Sequence, residues 1–238
     1  NLRKKLEELN NYQFSDTEWE DFFKNAIANP NEHIVEKTRK IQEDNIQVLT
    51  RDDGSSKNIT LIDKKNIHNN RLQVINQYKV NVATGSSKDS LGCVIGTENG
   101  AKYNNRYDVT VLVNGLPLIH IELKRRGVAI REAFNQINRY QRDSFWAGYG
   151  LYEYVQIFVI SNGTDTKYYS NSTRRNAEKE HDKQGSSKTR TSNSFEFTCF
   201  WADANNHVIP DLIDFTKTFF AKHTILNILT KYCIFTSE

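Results

Sequence analysis

Residues 106–126 read RYDVTVLVNGLPLIHIELKRR, and this stretch decides the fold that we predict. Residues 107–113 form a Val-rich run that is typical of a β-strand. Asn114-Gly115 is a strong signal for a tight hairpin turn. Residues 117–124 are then predicted as the return strand. The stretch therefore predicts an antiparallel β-hairpin.

The hairpin carries charged side chains at strand positions. Because side chains alternate along a strand, His120, Glu122 and Lys124 are predicted to share one face. A three-residue loop over 114–116 would place Asp108 directly opposite Glu122, with Cβ atoms about 4.5–5.5 Å apart. A two-residue loop would shift the partner by one position and break this pairing. The prediction therefore depends on the length of the turn.

Two opposed carboxylates repel each other unless a cation lies between them. Mg²⁺ prefers carboxylate and carbonyl oxygens, so Asp108, Glu122 and the backbone carbonyl of Leu123 are candidate ligands. Lys124 would lie beside a metal-bound water and a scissile phosphate, where its charge stabilises the transition state. From spacing alone an Asp-Glu-Lys ion-pair cluster on a solvated sheet face remains open. His120 is interpreted as a structural neighbour of this site.

The residues after the hairpin predict alternating helices and strands. A helix is predicted over 129–143, with Gln136 and Tyr140 one turn apart on the same face, and Arg125 and Arg126 precede it as a basic cluster suited to a phosphate backbone. The apolar run 154–160 predicts a strand buried on both faces. Shorter strands are predicted over 167–169 and 195–201, and residues 171–193 are interpreted as a polar surface loop.

The flanking segments complete the predicted architecture. The N-terminal segment is predicted to be helical over 1–29. Within it, Ser15 and Glu18 have the spacing of a capping box. A third helix is predicted over 32–42, strands over 58–63 and 72–82, and closing helices over 210–222 and 223–232. The fold class is therefore α/β, a mixed β-sheet flanked by α-helices.

Composition excludes several classes of protein. The 238 residues have 37% hydrophobic content, a mean hydropathy of −0.68 and a net charge of +3, which fits neither a membrane-spanning nor a disordered chain. Three scattered cysteines at positions 93, 199 and 233 fit neither a disulfide framework nor a structural zinc site, so we expect a cytoplasmic protein.

The three GSSK tetrapeptides lack phosphate-loop spacing, so we expect no ATP binding by these residues. The lack of Met and the start at Asn1 indicate a fragment.

Asp108 followed by Glu122-Leu123-Lys124 resembles the signature of the PD-(D/E)xK nuclease superfamily, with Tyr107 in the position of the proline. The pattern Gln136-x-x-x-Tyr140 resembles the QxxxY motif of its RecB-like branch. Residues 106–140 and 158–166 are similar to the N-terminal nuclease domain of the restriction (R) subunit of type I restriction–modification enzymes.

The resemblance implies a PD-(D/E)xK restriction-endonuclease-like core that cuts double-stranded DNA non-specifically with Mg²⁺. Residues 1–238 would form a single endonuclease domain, with a helical lead-in over 1–45, a nuclease core over 58–201 and closing helices over 210–232. ATP would serve only motor domains after residue 238, and the partners would be the modification and specificity subunits, with no membrane.

The resemblance also assigns roles to residues. Asp108, Glu122 and Lys124 would be catalytic, and Asp108, Glu122 and the Leu123 carbonyl would bind the metal. Motif and DNA-contacting residues would be Gln136, Tyr140, Arg125 and Arg126. Relatives often have a further acidic residue on a preceding helix, for which the candidates are Glu8, Glu20 and Glu36. Two alternatives remain open: a DNA repair or recombination nuclease of the same superfamily, and a docking domain with a degenerate nuclease site.

Overall fold

The computed structural model describes residues 1–81, 104–141, 145, 150–171 and 193–232. The strands in these ranges are Ile46–Thr50 (β1), Ser56–Thr60 (β2), Leu72–Asn81 (β3), Asn104–Val113 (β4), Leu116–Leu123 (β5), Ile157–Ser161 (β6), Thr166–Ser170 (β7) and Cys199–Phe200 (β8). The α-helices are Leu2–Asn10 (α1), Asp16–Phe22 (α2), Ile34–Gln42 (α3), Ile130–Tyr140 (α4), Leu212–Phe219 (α5) and Lys222–Asn227 (α6). Wide π-type turns at Phe23–Ile27 and Ile228–Tyr232 extend α2 and α6.

Six strands form one mixed sheet in the order β3-β4-β5-β6-β7-β8, and β1 and β2 form a separate antiparallel pair. β5 and β6 are parallel, and the other neighbours in the large sheet are antiparallel. A parallel pair needs a crossover connection, and α4 lies in the chain between β5 and β6. The prediction of a mixed sheet flanked by helices is confirmed.

The hairpin between β4 and β5 turns on two residues, not on the three that we predicted. Asn114 and Gly115 have φ values of 52° and 89°, as a type I′ turn requires. The ladder starts at the pair Val113 and Leu116, and its register then shifts between Val111 and Leu112. Beyond this shift Val111 pairs with Ile119, and Val109 pairs with Ile121. A β-bulge therefore supplies the residue that the short turn lacks, and from Val111 to Val109 the strands pair in the register that a three-residue loop would have given.

The two faces of the large sheet pack against different helices. Alternate residues of β6, Ile157 and Val159, belong to a core that also holds buried residues of α1, α2, α3, α5 and α6. Phe158 and Ile160 belong to a second core with the buried residues of α4. We call this second side of the sheet the α4 face. His120 and Glu122 lie two residues apart on β5, and both are fully buried.

The N-terminal helices form where the sequence predicts them. The capping box at α2 is present, since Ser15 Oγ accepts from the Glu18 N–H at 3.1 Å and Glu18 accepts from the Ser15 N–H at 3.0 Å. α1 packs close to the hairpin turn, where a Cβ on Gly115 would lie 2.7 Å from the Leu2 Cα. No helix in the described ranges has both the length and the apolar composition required to cross a bilayer.

The secondary structure differs from the prediction in two places. Strand β1 was not predicted at all. Residues 195–201 were predicted as one strand, but Asn193–Phe197 form a 3₁₀ turn and only Cys199–Phe200 pair with β7. The turn directs the Phe195 ring onto Phe134 of α4, 5.4 Å away between ring centroids, so contact with α4 overrides the local β propensity. Two GSSK segments, at 85–88 and 185–188, and nearly all of the predicted loop over 171–193 lie outside the described residues.

Candidate active site

Glu122 lies near the end of β5 with its side chain wholly buried. Its Oε1 accepts a hydrogen bond from Lys124 Nζ at 3.0 Å. Its Oε2 has no hydrogen-bond partner among the described residues. A solvated ion pair would not have this burial, so the open alternative of a charged surface cluster does not describe Glu122.

Asp108 projects from an irregular point in the sheet. β3 and β4 pair on both sides of it, through Asn76 with Val109 and Tyr78 with Tyr107. Between these pairs Gln77 has a φ of 50°, a left-handed conformation that breaks the regular pleat. The half-buried Asp108 carboxylate accepts the backbone N–H of Leu123 through Oδ2 at 3.0 Å. This bond holds Asp108 beside the strand position that follows Glu122.

Two acceptors hold the Lys124 ammonium, and one of them is the first member of a chain of hydrogen bonds. Its Nζ donates to Glu122 Oε1 and to Gln136 Oε1. The Gln136 amide nitrogen in turn donates to Tyr140 Oη, which donates to the Arg106 carbonyl oxygen at 2.9 Å. The predicted placement of Gln136 and Tyr140 on one helix face that returns to the strand is confirmed. This series ties α4 to the ends of β4 and β5.

The Tyr140 hydroxyl is a donor and not a base in this arrangement. Burial raises the pKa of Tyr140 above its ordinary value, and the negative charges of Glu122 and Asp108 raise it further. The hydroxyl therefore stays protonated at neutral pH. It keeps Gln136 oriented so that the amide oxygen, not the amide nitrogen, faces Lys124.

A second contact fixes the start of α4. The Asn162 side chain donates to the Val128 carbonyl at 2.8 Å, and its Oδ1 accepts the backbone N–H of Asp165 at 2.8 Å. The Lys124 N–H donates to the Ser161 carbonyl at 2.8 Å. Sequence patterns gave Asn162 no role in the site, because a contact across 34 residues leaves no local pattern.

The two arginines after Lys124 are solvent-exposed. Arg126 passes over Gly163, where an added Cβ would meet its side chain at 3.3 Å. Arg125 and Arg126 therefore lie at the surface on the loop that joins β5 to α4. Their predicted contact with DNA stays a prediction.

The donor set fits a hard divalent cation with an incomplete protein shell. Glu122 offers a buried oxygen that has no partner among the described residues, Asp108 offers a second carboxylate, and Lys124 would offset part of their charge. Within the described ranges no group of three His, Cys, Asp or Glu side chains is placed to hold a metal. Two of the three candidate helix acids have other contacts: Glu8 pairs with Lys5 at 2.7 Å, and Glu36 caps α3 by accepting from the His33 N–H. The third, Glu20 of α2, is solvent-exposed.

Comparison with known proteins places the chain in a family. The model of the type I restriction enzyme R protein N terminus matches residues 1–177. The type I restriction enzyme EcoprrI endonuclease subunit of Escherichia coli is 46% identical over all 238 residues, which cover 65% of that relative. The SsaAORF53P endonuclease subunit of Staphylococcus saprophyticus is 36% identical over 186 residues, 78% of this chain and 16% of the relative. A putative MjaIXP endonuclease subunit of Methanocaldococcus jannaschii is 32% identical over 114 residues, 47% of this chain and 9% of the relative.

The chain thus spans about two thirds of one relative and a small part of the others. The family match covers α1 to β7 and includes Asp108, Glu122, Lys124, Gln136 and Tyr140. The chain belongs to the family of N-terminal regions of type I restriction enzyme R proteins.

Proposed function

We propose that this chain is the metal-dependent nuclease region of the endonuclease subunit of a type I restriction enzyme. The observation that carries the proposal is the buried Glu122 Oε2, which has no hydrogen-bond partner among the described residues. Asp108 is bound to the next residue of the strand, Leu123, and Gln136 holds Lys124 in place. A bound divalent cation would be held by Asp108 and Glu122, with the Leu123 carbonyl as a further ligand, and would supply Lewis-acid activation of water. The reaction is hydrolysis of a DNA phosphodiester.

Each site residue has a role that follows from its contacts. Lys124 is charged and its Nζ is fixed by two acceptors, so it can orient the attacking water or stabilise charge on the phosphate oxygens. Gln136 and Tyr140 keep this ammonium in place. The exposed Arg125 and Arg126 provide positive charge for the DNA backbone without reading its sequence.

The proposal assigns the other activities of the enzyme to parts that lie outside residues 1–238. We propose that motor domains after residue 238 hydrolyse ATP and translocate double-stranded DNA, that the specificity and modification subunits recognise it, and that the nuclease then cuts non-specifically. The names of the relatives as endonuclease subunits of type I restriction enzymes support this assignment over a repair nuclease. A degenerate docking domain is disfavoured because Asp108, Glu122 and Lys124 are all present.

We expect metal binding to depend on the two carboxylates. In the nucleotide-free, full-length endonuclease subunit, Asp108→Asn and Glu122→Gln should each weaken Mn²⁺ binding at this site by about tenfold or more, because each removes an anionic ligand. Calorimetric titration with Mn²⁺ measures this directly. Glu132→Gln, an exposed change on α4, is the matched control and should bind as wild type does. Unchanged Mn²⁺ affinity in both site variants would contradict the proposed metal site.

We also expect Gln136 and Tyr140 to act on cleavage more than on folding. Gln136→Ala removes an acceptor from Lys124, and Tyr140→Phe removes the hydroxyl that orients Gln136 while keeping the buried ring. Each should slow cleavage by about tenfold, with a change in unfolding free energy of about 1 kcal/mol for the lost hydrogen bond. Asn135→Ala, exposed on the same helix, serves as the control. Wild-type cleavage rates for both variants would remove this pair from the mechanism.

A further inference from the structure

His120 and Glu122 share a buried polar contact that the proposed mechanism does not use. Both side chains are fully buried on the α4 face, and His120 Nε2 lies 3.6 Å from Glu122 Oε2. Neither of these atoms, nor His120 Nδ1, has a hydrogen-bond partner among the described residues. Each of the two facing atoms therefore has hydrogen-bonding capacity that no described residue uses.

Aromatic rings surround the imidazole. Tyr107, Tyr140 and Phe145 each meet it edge-to-face, with ring centroids 5.6, 6.1 and 5.0 Å away. An apolar ring would fit such a cage, whereas an imidazole with unpaired nitrogens costs about 1–3 kcal/mol per buried polar group. A hydrogen bond from the imidazole to Glu122 Oε2, 3.6 Å away, would offset this cost.

The geometry favours a hydrogen bond over shared coordination of a metal. Mg²⁺ prefers oxygen ligands, and Asp108, His120 and Glu122 are not placed as a three-ligand group. A distance of 3.6 Å exceeds the usual 2.7–3.2 Å for a hydrogen bond, but catalytic hydrogen bonds are often long in ligand-free structures and shorten in the complex. Lys124 already holds Oε1, so a donor at Oε2 would stop rotation of the carboxylate.

We propose that His120 is a positioning residue that donates its Nε2 hydrogen to Glu122 Oε2 and so fixes the carboxylate for metal binding. This inference rests on the proposed nuclease function and adds a residue to it. A hydrogen-bonded partner of a metal ligand typically contributes 10–100-fold to metal affinity. His120 acts in this way through Glu122, without contact to the DNA.

Three substitutions test the proposal in the full-length endonuclease subunit. His120→Phe keeps a ring in the aromatic cage but has no donor. His120→Gln carries an amide nitrogen at about the reach of Nε2, and His120→Asn carries one at about the reach of Nδ1. We expect the Phe and Asn variants to bind Mn²⁺ about 10–100-fold more weakly than wild type, and the Gln variant to recover most of the affinity. Calorimetry without DNA measures the binding, thermal unfolding checks the fold, and cleavage in the assembled enzyme should follow the same order.

The outcomes separate this inference from the function on which it rests. Wild-type Mn²⁺ affinity in His120→Phe would overturn the positioning role, as would equal affinity in the Gln and Asn variants, since a donor at Nε2 would then have no effect. If the Phe variant fails to fold, the comparison of Gln with Asn decides alone. A wild-type subunit that binds no Mn²⁺ at the Glu122 site would instead contradict the proposed function itself.

Discussion

In a reconstituted type I enzyme with Mg²⁺ and ATP, we expect Lys124→Ala to cut plasmid DNA at least about 100-fold more slowly than wild type. The Lys124 ammonium is the cation that the described structure fixes beside Glu122, and Gln136 holds it from the other side. Alanine removes both its charge and its three donors. Asp108→Ala and Glu122→Ala should abolish cleavage as well, because each removes a proposed metal ligand.

The readout that tests this proposal is cleavage measured beside ATP hydrolysis. ATP hydrolysis should stay at the wild-type rate in all three variants, because we place the motor outside these residues. Lys231→Ala, at an exposed position near the C-terminal end of the described chain, is the matched charge-removal control. Equal cutting by Lys124→Ala and wild type would place the chemistry elsewhere and favour the docking-domain alternative. Loss of ATP hydrolysis in all three variants would contradict the separation of nuclease and motor.

Lys37→Met should lower the free energy of unfolding by about 3–5 kcal/mol at neutral pH. Lys37 of α3 is fully buried and its Nζ forms an ion pair with the Glu153 carboxylate, which is also buried. His33 Nδ1 also lies 4.0 Å from the Glu153 carboxylate. Methionine keeps the length of the stem but leaves Glu153 without its close partner.

The Lys37→Met effect should depend on pH in a defined direction. Burial raises the pKa of Glu153 above its ordinary value, and Lys37 acts against that shift. A carboxyl with a raised pKa in the folded state favours folding most below its unfolded pKa, and this contribution is lost as pH rises through the folded pKa. Without Lys37 the pKa of Glu153 rises further. The loss of stability should therefore be larger at about pH 8 than at about pH 5.

Urea unfolding of wild type and variants at the two pH values measures this effect. Lys37→Met combined with Glu153→Leu should recover most of the stability, because an apolar pair replaces a buried ion pair at little cost. Lys217→Ala is the control, since its pair with Asp214 is exposed and should leave the unfolding midpoint unchanged. A Lys37→Met variant as stable as the Lys217→Ala control at both pH values would show that the buried pair contributes nothing.

Local patterns in the sequence predicted most of the secondary structure. The Asn-Gly turn, the Val-rich strand before it and the capping box at Ser15 all depend on contacts within a few residues, and all three are present. Residues 195–201 were assigned wrongly for the opposite reason. Their alternating pattern is typical of a strand, but Phe195 packs against Phe134 of α4, which is far away in the chain.

Away from the turn, the strands of the hairpin pair in the predicted register, but the turn that we predicted to set this register is wrong. We predicted Asp108 level with Glu122 from a three-residue loop, whereas the chain turns on two residues and adds a β-bulge. No local pattern marks the bulge, because it depends on how β4 and β5 pair. The predicted register is present up to the pair Val109 and Ile121, because the bulge compensates for the missing loop residue.

The sequence by itself determined which residues could form the site. Period-two alternation places His120, Glu122 and Lys124 on one side of a strand, and a spacing of four places Gln136 with Tyr140 on a helix, since backbone geometry sets both periods. Only the tertiary structure decided what these groups do to one another. Three features depend on α4 covering the sheet. They are the burial of Glu122, the bond from Lys124 to Gln136, and the contact of His120 with Glu122 Oε2. That packing joins residues that are far apart in sequence. It also buries Glu122 Oε2, and a buried polar atom without a hydrogen bond from a described residue carries a free-energy cost.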